Sequence, residues 1–115
     1  MIFVIGGLAS GKRNYVKNEF GYSEGDIADA VLDERPVLYN LQDLVSVRLD
    51  ETDSLLTALL NKQVVICNEV GSGVVPIDRM ERQTREATGR VCVALAEKAE
   101  KVVRVYCGIP NIIKE

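Results

Sequence analysis

The chain has 115 residues, 47% hydrophobic and 27% charged, as expected for one globular domain covering residues 1–115. Its formal net charge of −3 argues against nucleic acids as partners, and no apolar run is long enough to cross a membrane. Histidine is absent, which excludes histidine bases, histidine metal ligands and covalent intermediates on histidine.

The N-terminal segment has the pattern of a phosphate-binding P-loop, in which a glycine-rich turn joins a strand to a helix. The apolar run Ile2–Ile5 predicts a buried strand, and residues 12–20 predict the helix. Between them, glycines let the backbone turn tightly and direct its N–H groups at an anion. The helix N-terminus adds partial positive charge, and the lysine adds a mobile full charge. The predicted nucleotide-binding residues are Gly6, Gly7, Leu8, Ala9, Ser10, Gly11, Lys12 and Arg13.

Arg13 stands where the P-loop pattern has a serine or threonine that ligates magnesium. A guanidinium cannot bind the metal, but it can neutralise phosphate charge through two parallel hydrogen bonds. Three consequences remain open: binding that is independent of magnesium, binding without catalysis, or loss of both. The expected cofactor is ATP or GTP, with magnesium binding weakened by Arg13.

The middle of the chain is predicted to hold one short strand and two helical segments. Residues 21–26 are rich in turn formers, and residues 28–32 predict a short strand that ends at Asp33. Leucine and valine at helical spacing predict a helix over residues 38–49. A second helix is expected over residues 54–61, and one bent helix across both segments fits the same pattern.

The second half of the chain alternates strands with one long helix. Residues 63–67 predict a central parallel strand, and a stripe of apolar side chains predicts a helix over residues 76–97. A further strand is expected over residues 102–107, followed by a turn over 108–111 and a short last strand at 112–114. The predicted fold class is therefore α/β, with a mostly parallel sheet and flanking helices.

Two carboxylates are candidates for catalysis and, more weakly, for metal binding. Glu69 follows the predicted strand that ends at Cys67, and Asp33 follows the short strand; ligands of open α/β sheets bind at such carboxyl ends. With Lys12, they are the predicted catalytic residues. Alternatively, Glu69 bonds to local backbone N–H groups, and Asp33 with Glu34 forms a solvated turn.

The three cysteines are Cys67, Cys92 and Cys107. An odd number of cysteines in a sequence without a recognisable signal peptide predicts reduced thiols and a cytoplasmic location. Their spacing fits no zinc pattern. Cys67 and Cys107 end apolar runs, so we expect both to be small core residues.

Residues 64–76, which read VVICNEVGSGVVP, resemble the strand and loop of the adenosylcobinamide kinase / adenosylcobinamide-phosphate guanylyltransferase family. The glycine-rich segment at residues 6–12 is also similar to that family's P-loop. The resemblance covers residues 2–20 and 64–114. Downstream, it is carried by Arg79, Arg85, Gly89, Arg90, Val91, Leu95, Ala96, residues 102–105, Gly108, Ile109, Pro110, Ile113 and Lys114.

The resemblance implies a shortened fold of the P-loop NTPase (RecA-like) type and a homo-oligomer, often a trimer. It also implies two activities in cobalamin biosynthesis. One phosphorylates the hydroxyl of adenosylcobinamide with ATP or GTP, and the other transfers GMP from GTP to that phosphate through a guanylylated histidine.

The sequence departs from the family in several ways. It lacks the histidine that is guanylylated in the family. It also lacks the segment that holds this histidine, together with a further strand and helix. Cys92 stands where the family has an asparagine. Two functions follow. The chain is a kinase of adenosylcobinamide or a similar alcohol, or it is a degenerate module that binds a nucleotide or a corrinoid without turnover. The intact lysine favours the kinase, and Arg13 favours the module.

Overall fold

A six-stranded sheet with helices on both faces organises the chain in a computed structural model, which describes residues 1–69 and 78–115. The strand order is β2-β3-β4-β1-β5-β6. The strands are β1 (Ile2–Gly6), β2 (Ile27–Asp29), β3 (Val37–Tyr39), β4 (Val64–Asn68), β5 (Lys101–Tyr106) and β6 (Ile109–Lys114). The helices are α1 (Lys12–Phe20), α2 (Leu41–Ser46), α3 (Thr52–Leu59) and α4 (Arg79–Lys98).

The register of the central strands brings the ends of β1 and β4 together. All neighbouring strands pair in parallel except β5 and β6, which form an antiparallel hairpin. Gly6, the last residue of β1, lies opposite Asn68 of β4 on one side and Val105 of β5 on the other. The glycine-rich loop (residues 6–12) and the residues that follow β4 therefore start at the same edge of the sheet, where α/β proteins bind ligands.

Side chains of β1, β4 and β5 alternate between two apolar layers, as the two-residue period of a strand requires. On one face, Phe3, Val65 and Val102 pack against the apolar stripes of α2, α3 and α4. On the other face, Val4 packs with the fully buried Val16 of α1. Both faces of the central strands are buried, which is why these strands read as continuous apolar runs in the sequence.

The predicted fold class is confirmed, since the sheet is mostly parallel and carries helices on its faces. The predicted helix over residues 38–49 is wrong at its start, because Val37–Tyr39 forms β3 and the helix begins only at Leu41. Asn40, at φ 59°, separates the two elements. Three residues are too few to show a strand period, so the helical spacing of the leucines dominated the pattern.

Three further boundaries differ from the prediction. The short strand β2 ends at Asp29, so Asp33 does not stand at its carboxyl end. The hairpin turn lies at Cys107 and Gly108, both at positive φ, rather than over residues 108–111. Cys107 is consequently exposed rather than a core residue.

The start of the long helix was predicted at Pro76, which lies outside the described residues. Within them, α4 begins after Asp78, whose carboxylate caps the helix by accepting from the N–H of Met80 at 2.8 Å. At the other end, Lys114 of β6 donates to the carbonyls of Ala96 and Glu97, satisfying the last turn of α4. Among the described helices, none combines the length and the apolarity that spanning a membrane requires.

Candidate functional site

The glycine-rich loop is a tight turn between β1 and α1. Within it, the N–H of Ser10 donates to the carbonyl of Gly7 at 3.2 Å. Ala9 and Gly11 have positive φ angles of 57° and 93°, and Gly11 is the N-cap of α1 without a side-chain cap. Because the first N–H groups of a helix have no partner inside it, those at the start of α1 are available to an anion.

The loop is packed against the turn of the β5–β6 hairpin. The N–H of Gly108 donates to the carbonyl of Ser10 at 2.7 Å, and a Cβ on Gly11 would lie 3.2 Å from Gly108 Cα. A Cβ on Gly6 would lie 2.4 Å from the carbonyl oxygen of Val105, closer than real Cβ atoms approach. Glycine at position 6 is therefore what permits the loop to leave the sheet at this point.

Lys12 folds back over the glycine-rich loop and is almost fully buried. Its Nζ donates to the carbonyl of Gly7 at 2.6 Å and lies 3.5 Å from Ser10 Oγ. Burial lowers the pKa of Lys12 from its ordinary value of 10.5, while the nearby negative charge of Glu69 acts in the opposite direction. These two partners of the ammonium are uncharged oxygens, which an entering phosphate can replace.

Arg13 lies beside the loop and forms part of its cavity. Its guanidinium pairs with the carboxylate of Glu24 and stands 5.3 Å from the centroid of the Tyr39 ring, a cation–π distance. Lys17 also donates to Glu24, at 2.6 Å. In the described part of the chain, Arg13 Nε is buried without a hydrogen-bond partner. Glu24 thus holds two cations next to the loop.

A cavity of about 300 Å³ lies over the start of α1. It is formed by the glycine-rich loop, Arg13 and Tyr39, and its lining residues are Ala9, Ser10, Gly11, Lys12, Arg13, Asn14 and Tyr39. The cavity therefore combines helix N-terminal amides, an ammonium and a guanidinium, which together complement a polyphosphate.

Glu69 lies at the same edge of the sheet as Lys12. Its backbone N–H donates to the carbonyl of Gly6 at 2.8 Å, which ties the start of the loop after β4 to the end of β1. Its carboxylate accepts two hydrogen bonds from the guanidinium of Arg104 on β5. The structure thus brings Glu69 close to Lys12 but engages the carboxylate in an ion pair.

Asp33 lies at the opposite edge of the sheet. Its carboxylate makes a bidentate pair with Arg35, and its carbonyl accepts from Lys62, which precedes β4. Arg35 also donates to the carbonyl of Ile27, the first residue of β2. These partners all belong to the amino ends of strands, so Asp33 is not brought together with Lys12 and Glu69.

A row of polar side chains at the carboxyl ends of β2, β3 and β4 was not predicted. Asn40 Nδ2 donates to Asp29 Oδ1 at 2.7 Å, and Gln42 Nε2 donates to Asn40 Oδ1 at 3.1 Å. Gln42 Oε1 in turn accepts from the N–H of Asn68 at 3.0 Å. The sequence predicts this row only if residues 37–39 are assigned to a strand, because Asn40 directly follows that strand.

Among the residues that the structure describes, the side chains do not form a ready magnesium site. In the ranges 1–69 and 78–115, no group of three or more histidine, cysteine, aspartate or glutamate side chains stands close enough to hold a metal. The carboxylate of Glu69 is paired with Arg104, and Arg13 supplies a cation where a hydroxyl ligand would stand. The donor set suits phosphate oxygens better than a divalent cation.

Curated relatives match part of the chain. A 68-residue alignment to the "bifunctional adenosylcobalamin biosynthesis protein CobU" of Salmonella typhimurium is 41% identical and covers 56% of this chain and 38% of the relative. The Escherichia coli protein of the same name is 42% identical over 67 residues, and CobP of Pseudomonas aeruginosa is 34% identical over 71. The alignments span about two fifths of these relatives.

The sequence model of the family "cobinamide kinase / cobinamide phosphate guanyltransferase" matches residues 27–113. The match includes Glu69 and the polar row, but not the glycine-rich loop, whose assignment rests on its own sequence and geometry. Because the match covers most of the chain, this protein belongs to the cobinamide kinase / cobinamide phosphate guanyltransferase family.

Proposed function

We propose that this chain binds ATP or GTP in the glycine-rich loop and transfers the γ-phosphoryl group to the hydroxyl of adenosylcobinamide or a similar alcohol. The proposal rests chiefly on the placement of Lys12. Its side chain is buried over the loop, bonds to neutral oxygens and lies beside an open cavity. Membership of a kinase and guanyltransferase family supplies the reaction class. The curated relatives are named as adenosylcobalamin biosynthesis proteins.

Phosphate recognition rests on three groups in this proposal. The N–H groups at the start of α1 bind the β-phosphate, and Lys12 exchanges its bond to the Gly7 carbonyl for one to the β- and γ-phosphates. Arg13 turns from Glu24 to the phosphates. It loses its ion pair with the carboxylate, but the more highly charged phosphates offset that loss. Lys17 remains with Glu24 and keeps that carboxylate paired.

The transfer step forms a bond between the acceptor oxygen and the γ-phosphorus and breaks the bond from that phosphorus to the bridging oxygen. The nucleoside diphosphate leaves, and the acceptor hydroxyl loses its proton. Positioning and charge neutralisation supply most of the catalysis in such reactions. We propose Glu69 as the proton acceptor, released from Arg104 when the substrates bind.

Magnesium, if present, would enter with the nucleotide phosphates and not through a dedicated protein site. We propose that Glu69 contacts the water shell of the magnesium ion. Asp33 is not proposed as a metal ligand or a catalytic residue, because it lies at the opposite edge of the sheet. Guanylyl transfer through histidine is not proposed, because the sequence contains none.

A coupled assay of nucleoside diphosphate release tests the proposal. Release from ATP or GTP should require adenosylcobinamide, and Lys12→Met should abolish it. Glu69→Gln should reduce the turnover number while leaving nucleotide affinity within a few fold. Release that does not depend on the acceptor, or that survives Lys12→Met, would contradict the kinase assignment.

The alternative is a module that binds the nucleotide or a corrinoid without turnover. The ion pairs of Arg13 with Glu24 and of Glu69 with Arg104 favour it, because both charged groups are already engaged. Tight nucleotide binding without diphosphate release at any acceptor concentration would favour this alternative over the kinase.

We also propose that the chain assembles with copies of itself. The strand β6 stands at the end of the sheet order and is exposed along its length. Exposed apolar side chains cluster on this hairpin: Tyr106, Ile109, Ile112 and Ile113. An apolar edge strand is a ready surface for pairing with an identical strand.

A further inference from the structure

Two cysteine thiols meet inside the apolar layer between the sheet and α4. Cys67 of β4 is fully buried, Cys92 of α4 is 9% exposed, and their Sγ atoms lie 3.7 Å apart. Neither residue belongs to the proposed phosphate site. Two thiols at this distance can form a disulfide if small side-chain movements bring the sulfurs to about 2.05 Å with the Cβ–S–S–Cβ dihedral that the bond requires.

We propose that Cys67 and Cys92 form a reversible intramolecular disulfide when the protein meets a peroxide. The two cysteines are 25 residues apart in sequence, but their sulfur atoms are already close in space. Both residues belong to the same apolar core cluster, so the two sulfurs already face one another and have about 1.7 Å left to close.

The chemistry proceeds in two balanced steps. The Cys92 thiolate attacks one oxygen of hydrogen peroxide, the O–O bond breaks, and a sulfenic acid and hydroxide form; the hydroxide takes up the thiol proton as water. The Cys67 sulfur then attacks the Cys92 sulfur and expels a second water. Two thiols are oxidised to one disulfide, and one peroxide is reduced to two waters.

The surroundings of the pair favour Cys92 as the first nucleophile. Hydrogen bonding with Cys67 lowers the pKa of Cys92, whereas hydrogen bonding with Cys92 and burial raise the pKa of Cys67. Cys92 is also the more exposed of the two residues, at 9% against 0%. The thiol of Cys67 also donates a hydrogen bond to the carbonyl of Asn68 at 3.2 Å, and its proton leaves with the hydroxide as water when the disulfide forms.

We propose that a small polar oxidant approaches Cys92 past Thr88. Thr88, one helical turn earlier, is fully buried, and in the described residues its Oγ1 has no hydrogen-bond partner. The same residue lines a surface cavity of about 480 Å³ between α2 and α4. An unpartnered hydroxyl at the base of a cavity can hold water or a molecule of similar size, and hydrogen peroxide is one.

Peptide mapping of peroxide-treated native protein tests the inference. The Cys107→Ser variant is used beside the natural chain, because Cys107 is exposed and can form disulfides between molecules. After treatment, alkylation and digestion, we expect a linked pair of peptides containing Cys67 and Cys92, which a thiol reductant separates. The melting temperature of the oxidised form should rise by roughly 10 °C, because the link closes a loop in the unfolded chain.

Cys92→Ser is the matched control, in which neither the linked peptide nor the rise in melting temperature should appear. The peptide map of the natural chain carries the test even where that variant folds poorly. Two separately alkylated thiols, or a sulfinic acid on Cys92 without linkage, in protein whose circular dichroism is native would overturn the proposal.

Discussion

Charge pairing at single residues decides what the glycine-rich loop can bind. Lys12 is held by neutral oxygens, whereas Arg13 shares the carboxylate of Glu24 with Lys17. Exposed ion pairs of this kind contribute little to stability, so they can be exchanged for a phosphate at small cost. We therefore propose that Arg13 sets the magnesium dependence of nucleotide binding at this site.

Replacing Arg13 by serine should convert the site to magnesium-dependent binding. Without magnesium, loss of the guanidinium should weaken nucleotide affinity roughly 10- to 100-fold, the range for a charge-assisted hydrogen bond. With magnesium, the new hydroxyl should recover part of that loss. Calorimetric titration of the natural chain and the variant, each with magnesium and with a chelator, measures both effects.

Arg48→Ser is the control for Arg13→Ser, since it removes a cation that pairs with Glu51 rather than with Glu24 and leaves the loop intact. It should change affinity by less than threefold in either condition. Strong magnesium dependence in the natural chain would contradict the proposed role of Arg13.

Asp33 is predicted to stabilise the fold in a pH-dependent way. Its hydrogen bonds with Arg35 lower its pKa from 3.8 to about 2. Because the folded-state pKa lies below the unfolded one, the contribution is fully present above about pH 4 and disappears as the pH falls towards 2. Asp33→Asn should therefore lower the melting temperature at neutral pH and converge with the natural chain in acid.

Thermal unfolding of both proteins between pH 7 and pH 2 tests this. Asp43→Asn on α2 provides the control, since no ion pair of Asp43 is described. A gap between Asp33→Asn and the natural chain that stays constant down to pH 2 would show that the carboxylate charge is not the cause.

The strongly periodic elements of the fold were predictable, but the contacts between them were not. Strands β1, β4 and β5 and the helices α1 and α4 follow from long apolar patterns and from glycines at defined places. Strand β3 was missed because its three residues run into a helical pattern, and with it the polar row of Asp29, Asn40 and Gln42.

The candidate site likewise has a part that the sequence predicts and a part that it does not. The loop from Gly6 to Lys12 follows from local sequence alone. The pairing of Arg13 with Glu24 and of Glu69 with Arg104 joins residues from different elements, and such tertiary pairs leave no local signal. Asp33 was misplaced because the short strand ends at Asp29, after which the chain returns to the amino edge of the sheet.

At the scale of elements, Gly6→Ala tests how the loop is joined to the sheet. The added methyl would meet the Val105 carbonyl at 2.4 Å and Ser10 Oγ at 2.7 Å, and the carbonyl belongs to a central strand that cannot easily move. We expect a loss of roughly 1–3 kcal/mol in the free energy of unfolding, typical of overpacking. Denaturant unfolding measures it.

Gly7→Ala is the paired substitution, because no atom lies within 4 Å of a Cβ at that position. Its free energy of unfolding should stay within about 0.5 kcal/mol of the natural value or rise slightly. Equal losses in the two variants would show that the close approach at Gly6 is not what constrains the loop.

At the scale of the molecule, the exposed edge strand β6 predicts self-association. Light scattering after gel filtration should give a mass that is a multiple of the 12.7 kDa chain, and the Ile109→Lys, Ile113→Lys double substitution should shift it towards the monomer. Val47→Lys, at the exposed residue that follows α2, should leave the mass unchanged. A monomer at all concentrations, or an assembly that tolerates the lysines, would contradict the proposed surface.

We propose above all that main-chain N–H groups at the start of α1, together with Lys12, close around a nucleoside triphosphate. Calorimetric titration of ATP and GTP into the natural chain and into Lys12→Met, in chelator, measures this directly. We predict saturable binding of one nucleotide per chain and a roughly 10- to 100-fold loss of affinity in the variant. No heat of binding in the natural chain, or the same affinity in both proteins, would contradict it.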